Sequence, residues 1–468
     1  MEYKILKRPP LIQGHIKFER MFDQRLDFMS HEQSFKMINE LSFCVFDLET
    51  TGGNQTSDKI IEIGLIKIEN LKIIAEKSFL IKPMVQIPEF IQKLTSIREA
   101  DVVHAPLIED VIDEVLEFIG DSILVAHNTS FDVPFFNSVL KRMGRSELKN
   151  NALCTHLMTK YMIPNLLTSN LNNMSKIFGL NHHKAHRALD DARASAELLL
   201  TYLNIFIKKD IKKINHLYYP KNKFELDRIH FKGKSEFTKF KNKVIEIKSN
   251  FLLTVKGKEG IVLYAEVVPV DRLIDEKRME LLLKIIEEVS TMQYEVLSLK
   301  LVGPFIIGLI EYAQHFTKLS AEKKLTSLHR MLSHFNLSEK CLQEYRLNIN
   351  QRSCEFFILN HIVPDQYIIY PRTSLTHKAE LYFRYPGHQN KLLQYINSKG
   401  NKVINGKLPK DHLEPVVSNF IQILIDRNDE TTIITHERQK KTIGELSEIM
   451  EPFIKNHPHH YHFPEMYL

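Results

Sequence analysis

Hydrophobic and polar positions change period several times along this chain. Residues 1–40 are polar and mixed, with a helical extension expected there around Met21 to Asn39. SFCVFDLE (Ser42 to Glu49) then reads as a short buried strand. KIIEIGLIKIE (Lys59 to Glu69) follows with period-two alternation around Ile61, Ile63 and Leu65, and KIIAEKSFLI (Lys72 to Ile81) predicts a third strand before Pro83 and Pro88. The turn cluster TGGNQTSD and the other short connection predict an antiparallel meander. After that the period lengthens. Val111, Val115, Phe118 and Ile119 take helical spacing up to Gly120. SILVAH (Ser122 to His127) predicts a buried strand, FDVPFFNSVLKRMG (Phe131 to Gly144) a helix and NALCT a short strand. LNNMSKIFGL predicts a helix ending near Gly179. RALDDARASAELLLTYLNIFI predicts a long one with Leu189, Ala192, Ala196, Leu199 and Leu203 on one face. The order β-β-β-α-β-α-β-α-α predicts an α/β domain over residues 41–208, with a mixed five-stranded sheet and flanking helices.

The second half is less regular. Residues 209–248 turn basic and aromatic and read as a linker, and residues 249–468 as an α+β domain of unknown fold. FLLTVKG-KEG-IVLYAEVV predicts a hairpin around Lys258-Glu259-Gly260. Helices are expected over 275–290, 319–335 and 414–426, and a strand over Ala379 to Phe383. No catalytic motif or internal repeat is visible there.

Length and composition narrow the class. A chain of 468 residues holds two to four domain-sized units, and 43% apolar with 26% charged residues excludes collagen-like and low-complexity chains. No run reaches the ~18–20 apolar residues of a membrane helix; Leu301 to Ile310 is interrupted by Gly303-Pro304 and Gly308. The N-terminus lacks an apolar signal core, and Cys44, Cys154, Cys341 and Cys354 are too scattered for a disulfide framework or a CxxC zinc site. A reducing cytoplasm is the expected location. Residues 1–210 carry 25 basic against 27 acidic residues, and the remainder 38 against 30. An acidic half joined to a basic half points to a metal-dependent site in the first and a polyanion-facing surface in the second, although +8 over the second half is also ordinary scatter.

Three short segments carry candidate chemistry. Asp47 and Glu49 sit at i and i+2 on one strand and so share a face. Like charges about 5 Å apart at an effective dielectric near 20 repel by roughly 3 kcal/mol, which a hard divalent cation relieves. His127-Asn128-Thr129-Ser130-Phe131-Asp132 places Asp132 in the first turn of a helix. His186-Arg187-Ala188-Leu189-Asp190-Asp191 leads into the long helix, with His186 on the preceding loop, and an imidazole suits a general base near neutral pH. Each segment alone also reads as an ordinary strand end or loop; together they place four acids and a histidine at three element ends.

The segments DLETTG, HNTSFD and HRALDDA resemble the three motifs of the DEDDh 3′–5′ exonucleases. That family has an RNase H-like fold and includes the epsilon proofreading subunit of DNA polymerase III, ribonuclease T and oligoribonuclease. The flanks IIEIGLIKI, LVAHN and ARASAELLL match it too. The resemblance covers about residues 40–208. It implies that Asp47, Glu49, Asp132 and Asp191 bind two Mg²⁺ ions, with Mn²⁺ able to substitute, and that His186 is the general base. The H-x₄-D spacing selects Asp191 over Asp190. The backbone of Thr50, Thr51 and Gly52 would contact the terminal nucleotide, and His127, Asn128 and Phe131 would line the cleft. Cys154-Thr155 departs from the Asp-Thr of many relatives.

The implied activity is stepwise release of nucleoside 5′-monophosphates from the 3′ end of single-stranded or frayed nucleic acid, in DNA proofreading or repair. Implied partners are single-stranded DNA or RNA 3′ ends and a DNA polymerase or repair complex, with no membrane. Two alternatives stand beside it: a non-catalytic nucleic-acid-binding protein on the same fold, and an RNA-trimming exoribonuclease. Outside the resemblance, Arg228 to Lys248 reads either as a backbone-tracking stretch with Phe231, Phe237 and Phe240 stacking on bases, or as a strand or linker with core phenylalanines. The terminal HPHHYH (His457 to His462) reads as a transition-metal ligand set or as a polar tail.

Overall fold

Two buried strands and a more polar edge strand build one side of the first sheet. β1 (Phe43–Thr50) pairs antiparallel with β2 (Ile60–Glu69), and β2 antiparallel with β3 (Lys72–Leu80). On its other edge β1 takes β4 (Ile123–Ala126) in parallel, and β4 takes β5 (Ala152–Cys154) in parallel. The order β3-β2-β1-β4-β5 is the expected mixed five-stranded sheet of an RNase H-like fold. The computed structural model describes residues 36–163, 165–182, 185–209, 211–213, 226–347, 353–375, 379–404, 413–437, 441–461 and 463. The helical extension expected over residues 1–40 falls mainly outside these; Ile38–Glu40 form a single 3₁₀ turn.

Between β3 and β4 stand three helices where one is expected: α1 (Glu89–Thr95), α2 (Glu99–Val102) and α3 (Ile108–Ile119). The first two are too short to display a helical period. α3 buries Val111, Ile112, Val115 and Ile119 and stops at Gly120, whose φ of +50° suits glycine. α4 (Thr129–Arg142), α5 (Thr155–Met162), α6 (Leu171–Phe178) and α7 (Ala188–Lys208) follow, α5 being a further unexpected element. Phe46, Leu48, Ile63 and Leu65 pack with Val115, Phe136 and Leu140 in one core on one side of the sheet. α7 lies against β1 and β2, with Ala192, Ala196, Leu199 and Leu203 buried and Leu189 half-buried.

The described residues divide into two compact units, one up to residue 213 and the other from residue 226 onward. In the second unit β6 (Arg228–Lys232), β7 (Phe251–Lys256), β8 (Val262–Val268) and β9 (Val296–Leu301) form an antiparallel sheet in the order β6-β9-β7-β8. The expected hairpin is β7–β8. α8 (Phe237–Glu246), α9 (Asp275–Thr291), α10 (Phe305–Phe316), α11 (Ala321–Ser333) and α12 (Glu339–Glu344) accompany it. A second antiparallel sheet contains β10 (Cys354–Asn360), β11 (Tyr367–Pro371), β12 (Leu381–Phe383) and β13 (Thr431–His436), with α13 (Gln389–Ile404), α14 (Pro415–Arg427) and α15 (Ile443–Asn456). Phe305, Leu309 and Tyr312 of α10 share one core with Val267, Phe357, Leu359 and Phe420 from both sheets and α14.

Residues 228–246 are therefore not a linker. Arg228, His230 and Lys232 alternate with Ile229 and Phe231 in β6, and the lysine-rich stretch after Gly233 is a 3₁₀ turn followed by α8. Phe231 and Phe240 are buried, with ring centroids 5.5 Å apart, and Phe237 lies 5.8 Å from Phe240. Phe231 and Phe240 are core, and the half-buried Phe237 packs on Phe240. The terminal histidines pack too: His459 Nε2 donates to the Ile362 carbonyl (2.9 Å), His460 Nε2 meets Asp271 Oδ2 (3.2 Å), and Tyr461 is buried. Among the described residues no metal-ligating cluster forms there.

Candidate active site

β1 is apolar until Asp47, and its pairing with β2 decides what surrounds the two acids. Asp47 stands opposite Gly64 and Glu49 opposite Glu62. Directly opposed residues in a ladder share a face, so three carboxylates and one bare glycine form a patch there. A Cβ on Gly64 would lie 2.2 Å from the carbonyl oxygen of Ala188. The missing side chain lets the first turn of α7 rest on β2, bringing Asp191 toward Asp47 and Glu49. Glu62, 1% exposed, ties that turn down by accepting from Arg187 Nε (3.1 Å), Arg187 Nη2 (2.8 Å) and the Ala188 N–H (2.9 Å).

Asp132 arrives from a third direction. β4 runs parallel to β1, so α4 begins beside the carboxyl end of β1, and Asp132 lies in its first turn, 4% exposed. Burial pushes Asp132 up to about 7, against hydrogen bonds from its own N–H and that of Leu48, while the charge of Asp191 adds to the rise. Burial, then Asp191, Glu62 and Asp132, push Glu49 up to about 8, with Arg187 opposing. Asp47 is raised well above the carboxylate range by burial first and then by Asp132, Asp191, Glu49 and Glu62. Asp191 is raised by burial, against a hydrogen bond from His182. The four acids lie in one another's fields.

His186 is exposed on the loop before α7 with φ +62°, a left-handed conformation uncommon for a residue with a Cβ, and its N–H donates to Asp191 Oδ2 (3.2 Å). Ligand atoms of Glu49, His186 and Asp191 all lie within 4.8 Å of one another. Hard carboxylate oxygens whose mutual repulsion already raises their proton affinity, beside an imidazole, fit a divalent cation.

The other expected residues are placed as follows. Thr51 is bound into its own turn, its N–H donating to the Lys59 carbonyl (2.8 Å) and its hydroxyl accepting from the Lys59 N–H (3.0 Å). The Thr50 hydroxyl donates to the Gly52 carbonyl (2.7 Å), and a Cβ on Gly52 would meet Asp58 Oδ2 at 2.4 Å. His127 Nε2 donates to the Ser169 carbonyl (2.7 Å) and Nδ1 pairs with the Thr155 hydroxyl (3.0 Å), so both ring nitrogens serve the fold. Burial pushes that imidazole down to about 4. Asn128 occupies the N-cap position of α4 without a side-chain capping bond, its Oδ1 accepting from Ser130 Oγ (2.7 Å), while Phe131 packs against Phe135.

Sequence reasoning missed His182, whose Nε2 lies 2.5 Å from Asp191 Oδ1. It also missed Glu62, Arg187 and Gly64. For Glu62 and Gly64 the available signal was an acidic residue and a glycine at alternating positions of a mainly apolar strand.

Comparison with known proteins finds relatives of the first unit. Residues 44–199 match the family model described as Exonuclease (RNase_T). The chain is 34% identical over 194 residues to DNA polymerase III subunit epsilon of Treponema pallidum, covering 41% of this chain and 90% of that protein. It is 36% identical over 177 residues to the epsilon subunit of Aquifex aeolicus, covering 37% and 88%. It is also 42% identical over 169 residues to DNA polymerase III PolC-type of Clostridium perfringens, there covering 36% of this chain and 11% of the much longer relative. The chain belongs to the DEDDh exonuclease family, alongside DNA polymerase III subunit epsilon.

Proposed function

We propose that residues 41–208 form a divalent-metal-dependent 3′–5′ exonuclease domain that removes nucleoside 5′-monophosphates one at a time from single-stranded or frayed DNA. The observation that carries this reading is the shared field of Asp47, Glu49, Asp132 and Asp191, with His186 among them. In this reading the four carboxylates hold two Mg²⁺ ions. Bound there, the ions supply charge compensation at the scissile phosphate and a more acidic water. His186 accepts the proton of the attacking water, and the turn at Thr50-Thr51-Gly52 presents its backbone to the terminal nucleotide. Oxygen adds to phosphorus, the P–O3′ bond breaks with its electron pair on O3′, and that oxygen takes up a proton. The relatives are named as polymerase III proteins, which supports DNA as substrate and a polymerase or repair complex as partner.

The test uses 5′-labelled single-stranded DNA. With Mg²⁺ the labelled strand should shorten from its 3′ end in single-nucleotide steps, and EDTA or Asp47→Ala should stop it. An intact strand with both Mg²⁺ and Mn²⁺ would reject the reading. Release of the 5′ label as a mononucleotide would reverse the polarity.

A further inference from the structure

The connection between β1 and β2, residues 51–59, contains Gly52-Gly53, two residues with no side chain to anchor it. Many of its bonds are internal. Thr51 pairs with Lys59 through both its N–H and its hydroxyl. The Asn54 N–H donates to Asp58 Oδ2 (2.7 Å), and Asn54 Oδ1 accepts from the Thr56 N–H (3.0 Å) and hydroxyl (2.7 Å). Bonds of this kind give a turn its shape without fixing its place in the unit.

That place is set from α4. Among the described residues, the hydrogen bonds that reach residues 53–58 from elsewhere in the chain come from Ser138 and Arg142, one turn apart on this helix. Ser138 Oγ donates to the Gln55 carbonyl (2.7 Å). Arg142 donates through Nη1 to the same carbonyl and through Nη2 to the Asp58 carbonyl (3.1 Å), using the planar fork that an arginine offers. Asp58 in turn packs against Gly52 so closely that a Cβ there would run into its Oδ2. Arg142 thus holds the residue on which Gly52 rests. The same helix carries Asp132 in its first turn, about 15 Å of helix before Arg142. One rigid element therefore sets a member of the carboxylate cluster and the turn at 51–59 in a common frame.

We infer that Ser138 and Arg142 are positioning residues for the substrate: they hold the 51–59 turn where its backbone meets the 3′-terminal nucleotide, and so set how tightly that nucleotide is held. The inference rests on the nuclease reading of this site. Neither side chain touches the reacting atoms or the metal ligands in it, so their loss acts on substrate binding and leaves the chemical step in place.

The test runs steady-state kinetics on a labelled oligothymidylate at saturating Mn²⁺, comparing the full chain with Arg142→Ala and Ser138→Ala. Hydrogen exchange is followed alongside in peptides spanning residues 51–59 and α7. Arg142→Ala should raise KM about tenfold with kcat within about threefold of wild type. Amides of the turn should exchange about tenfold faster while those of α7 keep their rate. Ser138→Ala should move KM and turn exchange in the same direction by about threefold, and it carries the test if Arg142→Ala does not fold. A higher KM without faster exchange would mean that Arg142 touches the strand directly, and overturns the inference. A loss confined to kcat does the same. Wild type that cuts beside variants of unchanged KM overturns this inference alone, whereas wild type that leaves the strand uncut overturns the nuclease reading and this inference with it.

Discussion

Asp47 and Gly64 face each other across the β1–β2 ladder, and the hydrogen that Gly64 carries in place of a side chain is what admits the start of α7 to the carboxylate face. The clash that Gly64→Ala would create is with the Ala188 carbonyl oxygen, a backbone atom that cannot rotate away. Overpacking of this kind costs about 1–3 kcal/mol, sometimes more, and a shift of about 1 Å at a reacting group can cost 10²-fold in rate. Gly64→Ala should therefore lose about 3 kcal/mol in a urea melt and at least ~10-fold in nuclease rate. A variant as stable and active as the wild type would mean that α7 does not rest on β2.

The carboxylate cluster makes a signed prediction for the metal-free protein. Glu49 and Asp132 are pushed up to about 8 and about 7. Carboxyls raised in the fold keep protons that the unfolded chain has already lost, so the folded state binds more protons between about pH 4 and pH 8. Stability then falls as pH rises through that window. In EDTA, Tm should drop between pH 5 and pH 8, and Mg²⁺ or Mn²⁺ at pH 8 should reverse the drop. Asp47→Asn takes the buried acid with the highest cost of ionisation out of the cluster. At pH 8 without metal it should be more stable than wild type by about 2 kcal/mol, or roughly 4–8 °C in Tm, yet gain little from added metal and cut no DNA. Equal metal-induced stabilisation of the two proteins would remove Asp47 from the ligand set.

Why the acids could be read while their support could not follows from where each kind of information lies. Asp47, Glu49, Asp132, His186 and Asp191 sit in contiguous motifs at element ends. The strands around them alternate strongly enough to set the order of the first sheet. Glu62 and Gly64 acquire their roles only through cross-strand register with Glu49 and Asp47, which depends on where the turn at 51–59 closes. His182 lies nine positions ahead of Asp191, before α7 begins, and no periodicity reports its return to that helix. α10 escaped for another reason: a helix apolar nearly all round has no stripe, so its sequence reads equally as buried strand or helix.

Arg187 and Glu62 supply a stability test separate from catalysis. Removing Arg187 leaves the buried Glu62 carboxylate, among the described residues, with only the Ala188 N–H, facing Glu49 across the ladder. Breaking a buried pair on one side costs about 3–5 kcal/mol; Arg187 is one-third exposed, so the lower end applies here. Arg187→Ala should lose about 3 kcal/mol in urea unfolding, and adding Glu62→Gln should recover at least about half by removing the stranded charge. If the double variant is no more stable than the single one, the loss comes from packing of the arginine stem and not from the stranded carboxylate.

His182 and His186 both touch Asp191, one through its ring and one through its backbone N–H, and kinetics at varied metal concentration separates their roles. His182 is almost fully buried and bonds one carboxylate oxygen of Asp191, which in the proposed reaction makes it a positioning residue for a metal ligand. Loss of such support costs about 10–100-fold in metal affinity. His182→Ala should accordingly raise the Mn²⁺ concentration for half-maximal rate by about tenfold, while the rate at saturating Mn²⁺ stays within about threefold of wild type. His186 is exposed, with its ring beside Glu49 and Asp191, and the proposed reaction makes it the proton acceptor for the attacking water. General-base catalysis is worth about 10²–10⁴-fold, so His186→Ala should lower the saturated rate by at least ~10² at an unchanged metal requirement. The reverse pattern, with His182→Ala slow at saturating Mn²⁺ and His186→Ala merely hungry for metal, would exchange the two assignments and make His182 the base.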